Sequence, residues 1–206
     1  MKLWPAFYDL LLPDVPGCPP AMASLQLRHA AREFCERTKA WDEVRGPVVT
    51  IADTIEYTFL VNAAEEEVVK LLGGTLDGNE LTVRSINDMP GNWQTYPGVR
   101  AGILTQDLTK FYLVPARAAD MDIKTRIVLK PAVASTGVPD ALFNQYAEVI
   151  AMGAKARLML SPKKPYTDAT MAGANRVMFD ERVATIARAV EKSFSRTPRR
   201  VVGHFF

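Results

Sequence analysis

Apolar side chains recur at steps of three and four residues in three stretches of the chain, which is the spacing of one helix face. These stretches span residues 20–43, 138–160 and 168–194. The stripe of the first stretch consists of Leu27, Ala30, Ala31, Phe34, Thr38 and Trp41. Gly46-Pro47 follows the first stretch, and a Ser-Pro-Lys-Lys-Pro sequence follows the second. Because proline and glycine interrupt helices, the pattern predicts three long helices that end at these points.

The hydrophobic period shortens between residues 47 and 131, where short β-branched and aromatic runs predict strands. Turn-forming sequences separate the runs, for example Gly73-Gly74 and Asp77-Gly78-Asn79. We therefore expect a mainly antiparallel β-region over residues 47–131. Within it, the proline- and glycine-rich residues 86–99 predict a loop with a short helical turn.

The first twenty residues contain five prolines with aromatic and leucine side chains between them. Proline fixes φ and removes a hydrogen-bond donor, so residues 1–19 are predicted to form an extended arm. Its apolar side chains need a surface to cover, either on the same subunit or on a neighbour. Trp4, Phe7 and Tyr8 are therefore candidate contacts with another subunit or a partner protein. Trp93 and Tyr96 in the loop are further candidates for such a contact, and a cap over the β-region is the interpretation that we favour for these two.

These elements predict an α+β fold with a three-helix body. An antiparallel β insertion lies between the first and second long helices, and extended arms lie at the N- and C-terminal ends. The main domain is then residues 20–194, with the helical body at 20–44 and 138–194 and the β-region at 47–131. Residues 195–206 form the C-terminal arm.

The C-terminal arm combines basic with apolar residues, an unusual composition for a terminus that contacts nothing. Arginine pairs well with carboxylates and phenylalanine fills pockets, so we favour a partner molecule over an arm folded back on its own domain. The candidate binding residues are Arg196, Arg199, Arg200, Val201, Val202, His204, Phe205 and Phe206.

Composition restricts the classes of function. The chain has 206 residues and a formal net charge of +2, which is too small to indicate nucleic acid as the primary partner. The two cysteines are too few for a disulfide framework and are interpreted as reduced. No window approaches eighteen apolar residues and the start lacks a signal-peptide pattern, so we expect no membrane span and no secretion.

Candidate catalytic chemistry is sparse. His29 and His204 have no metal-ligand spacing with each other or with the cysteines, and the sequence has neither a Gly-x-Ser-x-Gly elbow nor a phosphate-binding Gly-Lys-Ser/Thr. Two carboxylate groups, residues 65–67 and the pair Asp120 and Asp122, have no accompanying base or nucleophile in the sequence. We predict that the protein is not an enzyme and has no cofactor or metal.

Several segments distributed along the chain together form a recognisable pattern. They are residues 11–19, 27–38, Trp41, Trp93, 113–115, 138–140, Tyr146 and 150–158. In this order they resemble a family of tailed-phage head-to-tail adaptor proteins, related to tail tubular protein A. The resemblance covers nearly the whole chain, and its motifs are structural rather than catalytic.

The resemblance implies a structural virion protein that forms a homo-oligomeric ring, expected to be twelvefold, between the portal and the tail or nozzle. Genomic DNA would pass through the lumen only as cargo, the portal protein would receive the C-terminal arm, and a tail tube or nozzle protein would bind the other end. The ring would belong to the neck of the virion and be assembled in the host bacterial cytoplasm. The alternative is a nucleic-acid-binding module that uses the basic C-terminal helix and the aromatic loop with Trp93 and Tyr96.

Overall fold

A computed structural model describes residues 1–93 and 102–192. In these residues the chain forms four α-helices and three separate antiparallel sheets. The predicted fold class, a three-helix body with one β insertion, is therefore wrong, and so is the prediction of an extended N-terminal arm. The physical reasons are an N-terminal segment that is helical, and a β-region that divides into sheets with different partners.

The N-terminal segment alternates short helical turns rather than extending. Its elements are strand β1 (Lys2–Leu3), a 3-10 turn (Trp4–Phe7), helix α1 (Tyr8–Leu11) and a second 3-10 turn (Leu12–Asp14). Pro5 and Pro13 occupy the first positions of these turns, where the missing amide hydrogen costs no internal hydrogen bond. The buried residues Trp4, Phe7, Leu11 and Val15 follow a helical spacing.

Strand β1 fastens this segment to the middle of the chain. It pairs with strand β9 (Gly137–Val138), with Lys2 opposite Val138 and Leu3 opposite Gly137. A Cβ atom at Gly137 would collide with the carbonyl group of Lys2, so this close approach requires glycine. The N-terminal segment therefore covers its own subunit.

Three long helices follow the predicted stripes but differ at their ends. They are α2 (Pro20–Thr38), α3 (Asp140–Met159) and α4 (Ala169–Glu191). α2 ends earlier than predicted because the Thr38 hydroxyl donates to the carbonyl of Phe34 and Lys39 takes a left-handed conformation with φ 56°. Trp41, predicted on the stripe of this helix, lies beyond the helix end, although it is buried.

The helices meet at Gly153 of α3. A Cβ atom at this position would lie 2.9 Å from Cε2 of Phe179 in α4 and 3.1 Å from Cβ of Ala30 in α2. The small side chains at Gly153 and Ala30 let the three helices approach closely.

The larger sheet has four strands in the order β2-β8-β4-β5. Their bounds are β2 (Asp42–Val49), β4 (Glu66–Leu76), β5 (Asn79–Leu81) and β8 (Asp122–Pro131). Gly46 and Pro47, predicted only as a helix stop, lie inside β2, whose register with β8 shifts between Arg45 and Val48. α2 packs against β8, which joins this sheet to the helices.

The smaller sheet has three strands in the order β3-β7-β6. Their bounds are β3 (Glu56–Thr58), β6 (Gly102–Leu104) and β7 (Lys110–Val114). Ile103, Phe111 and Leu113 belong to the main core that also contains the helices. Leu104, Tyr112 and Val114 form a second small core with Trp93.

Candidate assembly surfaces

α4 is apolar on both its inner and its outer side. The Asp168 side chain accepts a hydrogen bond from the amide of Met171 and caps the start of the helix. The helix buries Ala172, Phe179 and Val183. The outer α4 face, defined as Met171, Ala174, Val177 and Met178, is exposed, with Val177 58% and Met178 47% accessible. A surface helix normally carries polar residues on this side, so the face has the character of a contact surface.

A group of charged side chains holds α4 against the other two long helices. We call Glu33, Arg37, Arg157, Arg176 and Asp180 the three-helix charge cluster. Glu33 of α2 accepts hydrogen bonds at 2.7 Å from both Arg157 of α3 and Arg176 of α4, and Asp180 of α4 accepts from Arg37 and Arg176. The helix that carries the outer α4 face is therefore held against α2 by several charged hydrogen bonds, and Glu33 also links α2 to α3.

Glu33 is the centre of this cluster. Its partial burial alone would raise the pKa of its carboxyl group, but the hydrogen bonds from Arg176 and Arg157 and the charges of these arginines lower the pKa to about 2. Glu33 is therefore ionised at any pH near neutrality, and each of the three helices supplies at least one charged partner.

The second exposed apolar surface lies at the edge of the larger sheet. Among the described residues β2 has a sheet neighbour only on its β8 side, and Val44, Val49 and Ile51 are 64%, 52% and 64% accessible. We call these three residues with strand β2 the β2 edge. An edge strand with exposed apolar side chains is a natural site for another chain to bind.

The two surfaces lie on different parts of the subunit. α2 contacts β8 as well as α3 and α4, whereas within the described residues α4 makes no comparable contact with any strand of the sheet. The outer α4 face and the β2 edge are therefore separate surfaces, built on elements that α2 holds apart.

A groove of about 820 Å³ runs between the N-terminal segment, α3 and α4. Its floor is residues 143–149 and Met152 of α3; Ala6, Asp9 and Leu10 form one wall, and Arg182, Thr185 and Ile186 of α4 form the other. The lining contains two carboxylates, Asp9 and Glu148, and one cation, Arg182. The other lining residues are of two kinds. Leu10, Phe143, Tyr146, Ala147, Val149, Met152 and Ile186 are half-buried and mostly apolar, whereas Ala6, Asn144, Gln145 and Thr185 are exposed.

The aromatic residues predicted to contact other molecules lie in the subunit's own cores. Trp4 and Phe7 are 3% and 0% accessible, and the Tyr8 hydroxyl bonds to the Pro20 carbonyl and to Ser24. Trp93 is 7% accessible and packs edge-on against Tyr112, with ring centroids 5.5 Å apart. These side chains offer little surface to a partner, and Trp93 caps the smaller sheet. Tyr96 lies outside the described residues.

The candidate residues of the C-terminal arm, Arg196 to Phe206, also lie outside the described residues. Their assignment as a binding arm stays a prediction from the sequence.

The carboxylates that the sequence raises as catalytic candidates are engaged in structural contacts. Glu65 accepts from the amide and hydroxyl of Thr136, Glu66 pairs with Arg45, and Glu67 forms a two-point salt bridge with Arg32. The hydrogen bonds from Arg32 lower the pKa of Glu67. These contacts join the start of β4 to α2, to β2 and to the segment before β9.

Asp120 and Asp122 belong to turns and strand ends. Asp120 has a positive φ of 62°, which aspartate tolerates better than most residues, and the amide of Asp122 donates to the Asp77 side chain. Over residues 1–93 and 102–192 there is no group of three or more His, Cys, Asp or Glu side chains arranged to hold a metal ion. None of the helices in the same ranges is long and apolar enough to cross a membrane.

The sequence pattern missed the outer α4 face. The periodicity over residues 168–194 predicts one buried face, and the structure buries Ala172, Phe179 and Val183 on it. A prediction of one buried face assumes that the opposite face is polar. The available signal was a second set of apolar residues, Met171, Ala174, Val177 and Met178, at the same helical spacing.

No protein-family model matches this sequence, and no curated protein matches it significantly.

Proposed function

We propose that the protein is a structural subunit of a head-to-tail adaptor ring, placed between the portal and the tail or nozzle of a phage particle, with DNA passing through its lumen. The observation that carries the proposal is the presence of two separate exposed apolar surfaces, the outer α4 face and the β2 edge. The resemblance of the sequence to phage adaptors gives the ring its expected place and its expected twelvefold symmetry.

Two different surfaces on one subunit favour a closed ring. When surface one of a subunit binds surface two of the next, the contact is head-to-tail, and repetition closes a ring if the rotation allows it. In the proposed ring the outer α4 face of one subunit contacts the β2 edge of its neighbour. The three-helix charge cluster would keep α4 in position as the contact forms.

Assembly fits the charges of α4 better than nucleic-acid binding does. Within its bounds, α4 carries three arginines and three carboxylates, so it presents no net positive charge to a phosphate backbone. Arg176 is further engaged with Glu33 and Asp180. Stacking of Trp93 on a base would require it to leave the small core that it shares with Tyr112.

We also propose that the protein has no catalytic activity of its own. Glu65, Glu66 and Glu67, the densest carboxylate group in the sequence, act as structural partners of Thr136, Arg45 and Arg32. The sequence has neither a Gly-x-Ser-x-Gly elbow nor a phosphate-binding Gly-Lys-Ser/Thr to accompany them.

The test is the native mass of the protein, alone and mixed with the portal protein of the same phage. We expect wild-type protein to form a species whose mass is a multiple of the 22.8 kDa subunit. The double variant Val177→Glu/Met178→Glu and the single variant Val44→Glu should each be folded monomers. Leu60→Glu changes a residue that is 49% accessible and lies on neither surface, and it should assemble normally.

Mixing the two defective variants distinguishes a head-to-tail ring from a symmetric dimer. Each variant keeps the surface that the other has lost, so a head-to-tail contact predicts a dimer that cannot grow further. A wild-type protein that stays monomeric both alone and with the portal would refute the ring. Salt-sensitive DNA binding by that monomer would support the nucleic-acid module instead.

A further inference from the structure

The groove between the N-terminal segment, α3 and α4 has the dimensions and chemistry of a site for an extended peptide. Its volume of about 820 Å³ falls within the range of ligand sites in proteins. Leu10, Phe143, Val149, Met152 and Ile186 are only half-buried and leave apolar surface open to the groove. An occupant that covers these side chains should itself contain apolar anchors.

The charged residues of the groove point to a basic occupant. Asp9 and Glu148 are exposed, and neither forms an ion pair with any residue in the described ranges. Among the described lining residues Arg182 on the α4 wall is the one cation, so these residues together carry a net negative charge. A peptide with cationic and aromatic residues would satisfy both features.

We propose that residues 195–206 of the same chain dock in this groove in the free subunit. This segment contains Arg196, Arg199 and Arg200 and no acidic residue. Val201, Val202, Phe205 and Phe206 supply the apolar anchors. In the docked segment the arginines pair with Asp9 and Glu148, and the apolar residues cover the α3 floor.

The position of the groove makes the same chain the natural source of this peptide. Ile186 of the α4 wall lies five residues before the end of α4 at Glu191, which is about 8 Å along the helix axis. A tethered segment of this length has an effective concentration of about 1 mM at a nearby site. The tail of a second copy would compete only at a comparable protein concentration.

The proposed docking stands on the groove and the composition of the segment, and it does not require the ring. In a ring subunit it would have a further consequence, because the segment expected to bind the portal would be covered until the portal competes for it. A partner can only take the segment if it binds it more strongly than the groove does.

The experiment is hydrogen exchange on the full-length chain and on a chain that lacks residues 195–206. With the segment docked about nine-tenths of the time, amides of residues 143–152 should exchange about tenfold more slowly in the full-length chain. The protection should be unchanged over a hundredfold range of protein concentration under conditions where native mass shows a monomer. Equal exchange in the two chains would overturn the proposal, and protection that grows with protein concentration would assign the groove to a second copy.

A charge reversal tests the same contact without shortening the chain. Glu148→Lys should remove most of the protection from the full-length chain and have no effect on the truncated one. Glu80→Lys changes an equally exposed carboxylate on β5, outside the groove, and should leave the protection intact. If Glu148→Lys and Glu80→Lys change the protection by the same amount, the pairing of the segment with the groove is refuted. The native-mass test of the ring does not depend on this result.

Discussion

The indole nitrogen of Trp4 donates a 2.8 Å hydrogen bond to the main-chain carbonyl of Ser135, which lies 131 positions further along the chain. Both residues are buried, and the amide of Trp4 also donates to the carbonyl of Thr136. Phe7 then packs edge-on against Phe143 at a ring distance of 4.8 Å. These contacts make the first fifteen residues part of the helical core rather than a separate arm.

Trp4→Ala should lower the free energy of unfolding by about 3 kcal/mol, because it removes a large buried side chain and leaves a buried carbonyl without its donor. Urea unfolding followed by circular dichroism measures the change. Leu3→Ala, at a neighbouring residue that is 56% accessible, is the control and should change stability by less than about 0.5 kcal/mol. Equal effects of the two substitutions would mean that the N-terminal segment is not docked in solution.

A pair of glycine substitutions tests the contact of the three long helices. Gly153→Ala should destabilise the protein by about 1–3 kcal/mol, since the added methyl group would press on Phe179 and Ala30. Gly173→Ala in α4 should instead stabilise it by about 0.5–1 kcal/mol, because a Cβ atom there meets nothing within 4 Å and alanine favours helix. Thermal unfolding measures the change in stability of both variants. A loss for Gly153→Ala and a gain for Gly173→Ala would confirm the close contact of the helices at Gly153, and a gain for both would contradict it.

The stability of the protein should depend on pH through Glu33. Its pKa is depressed from 4.5 to about 2 in the folded state, so its contribution is fully present above pH 4.5 and is lost as the pH falls towards 2. Glu33→Gln should cost about 2 kcal/mol at pH 7, allowing for the partial exposure of the arginines. That cost should shrink steadily between pH 4.5 and pH 2.

The same measurement needs a carboxylate outside the cluster for comparison. Glu36→Gln removes a single exposed salt bridge to Lys130 and should cost less than about 0.5 kcal/mol at pH 7. A penalty for Glu33→Gln that is the same at pH 7 and pH 2 would contradict the proposed ionic role of Glu33.

Removal of residues 195–206 tests the proposed portal contact. We expect the shortened protein to keep its fold and its own oligomeric state, because the described core does not include these residues, and to bind the portal at least tenfold more weakly. Binding of the purified proteins, measured by interferometry, gives the comparison. Unchanged affinity would show that the portal binds elsewhere.

Local periodicity predicted the long helices well because each buries a face of regular spacing. Leu27, Ala30, Ala31 and Phe34 all lie in the core on α2, as their spacing indicates. The same reasoning failed for residues 1–19, where Pro5 and Pro13 were interpreted as breakers but occupy positions that tolerate proline. A proline's effect depends on where the helical turn begins, and that depends on contacts with distant residues.

The division of the β-region could not be deduced from the sequence. β2 pairs with β8, so that Asp42 lies opposite Val128, and hairpin signals such as Asp77-Gly78 report only neighbouring strands. The groove was equally hidden, since Asp9, Glu148 and Arg182 come from three elements that only tertiary packing brings together. The sequence shows which residues are apolar or charged, but not which remain exposed after folding.

Pro47 limits what the free side of β2 can accept. It has no amide hydrogen, and the strand changes its register beside it, so a regular row of main-chain donors extends only over the first half of the strand. A foreign strand could add there for a few residues and no further, which guards against runaway fibre growth at high local concentration. Recognition at this edge must then depend on side chains such as Val44, and side chains can select one partner where a bare backbone cannot.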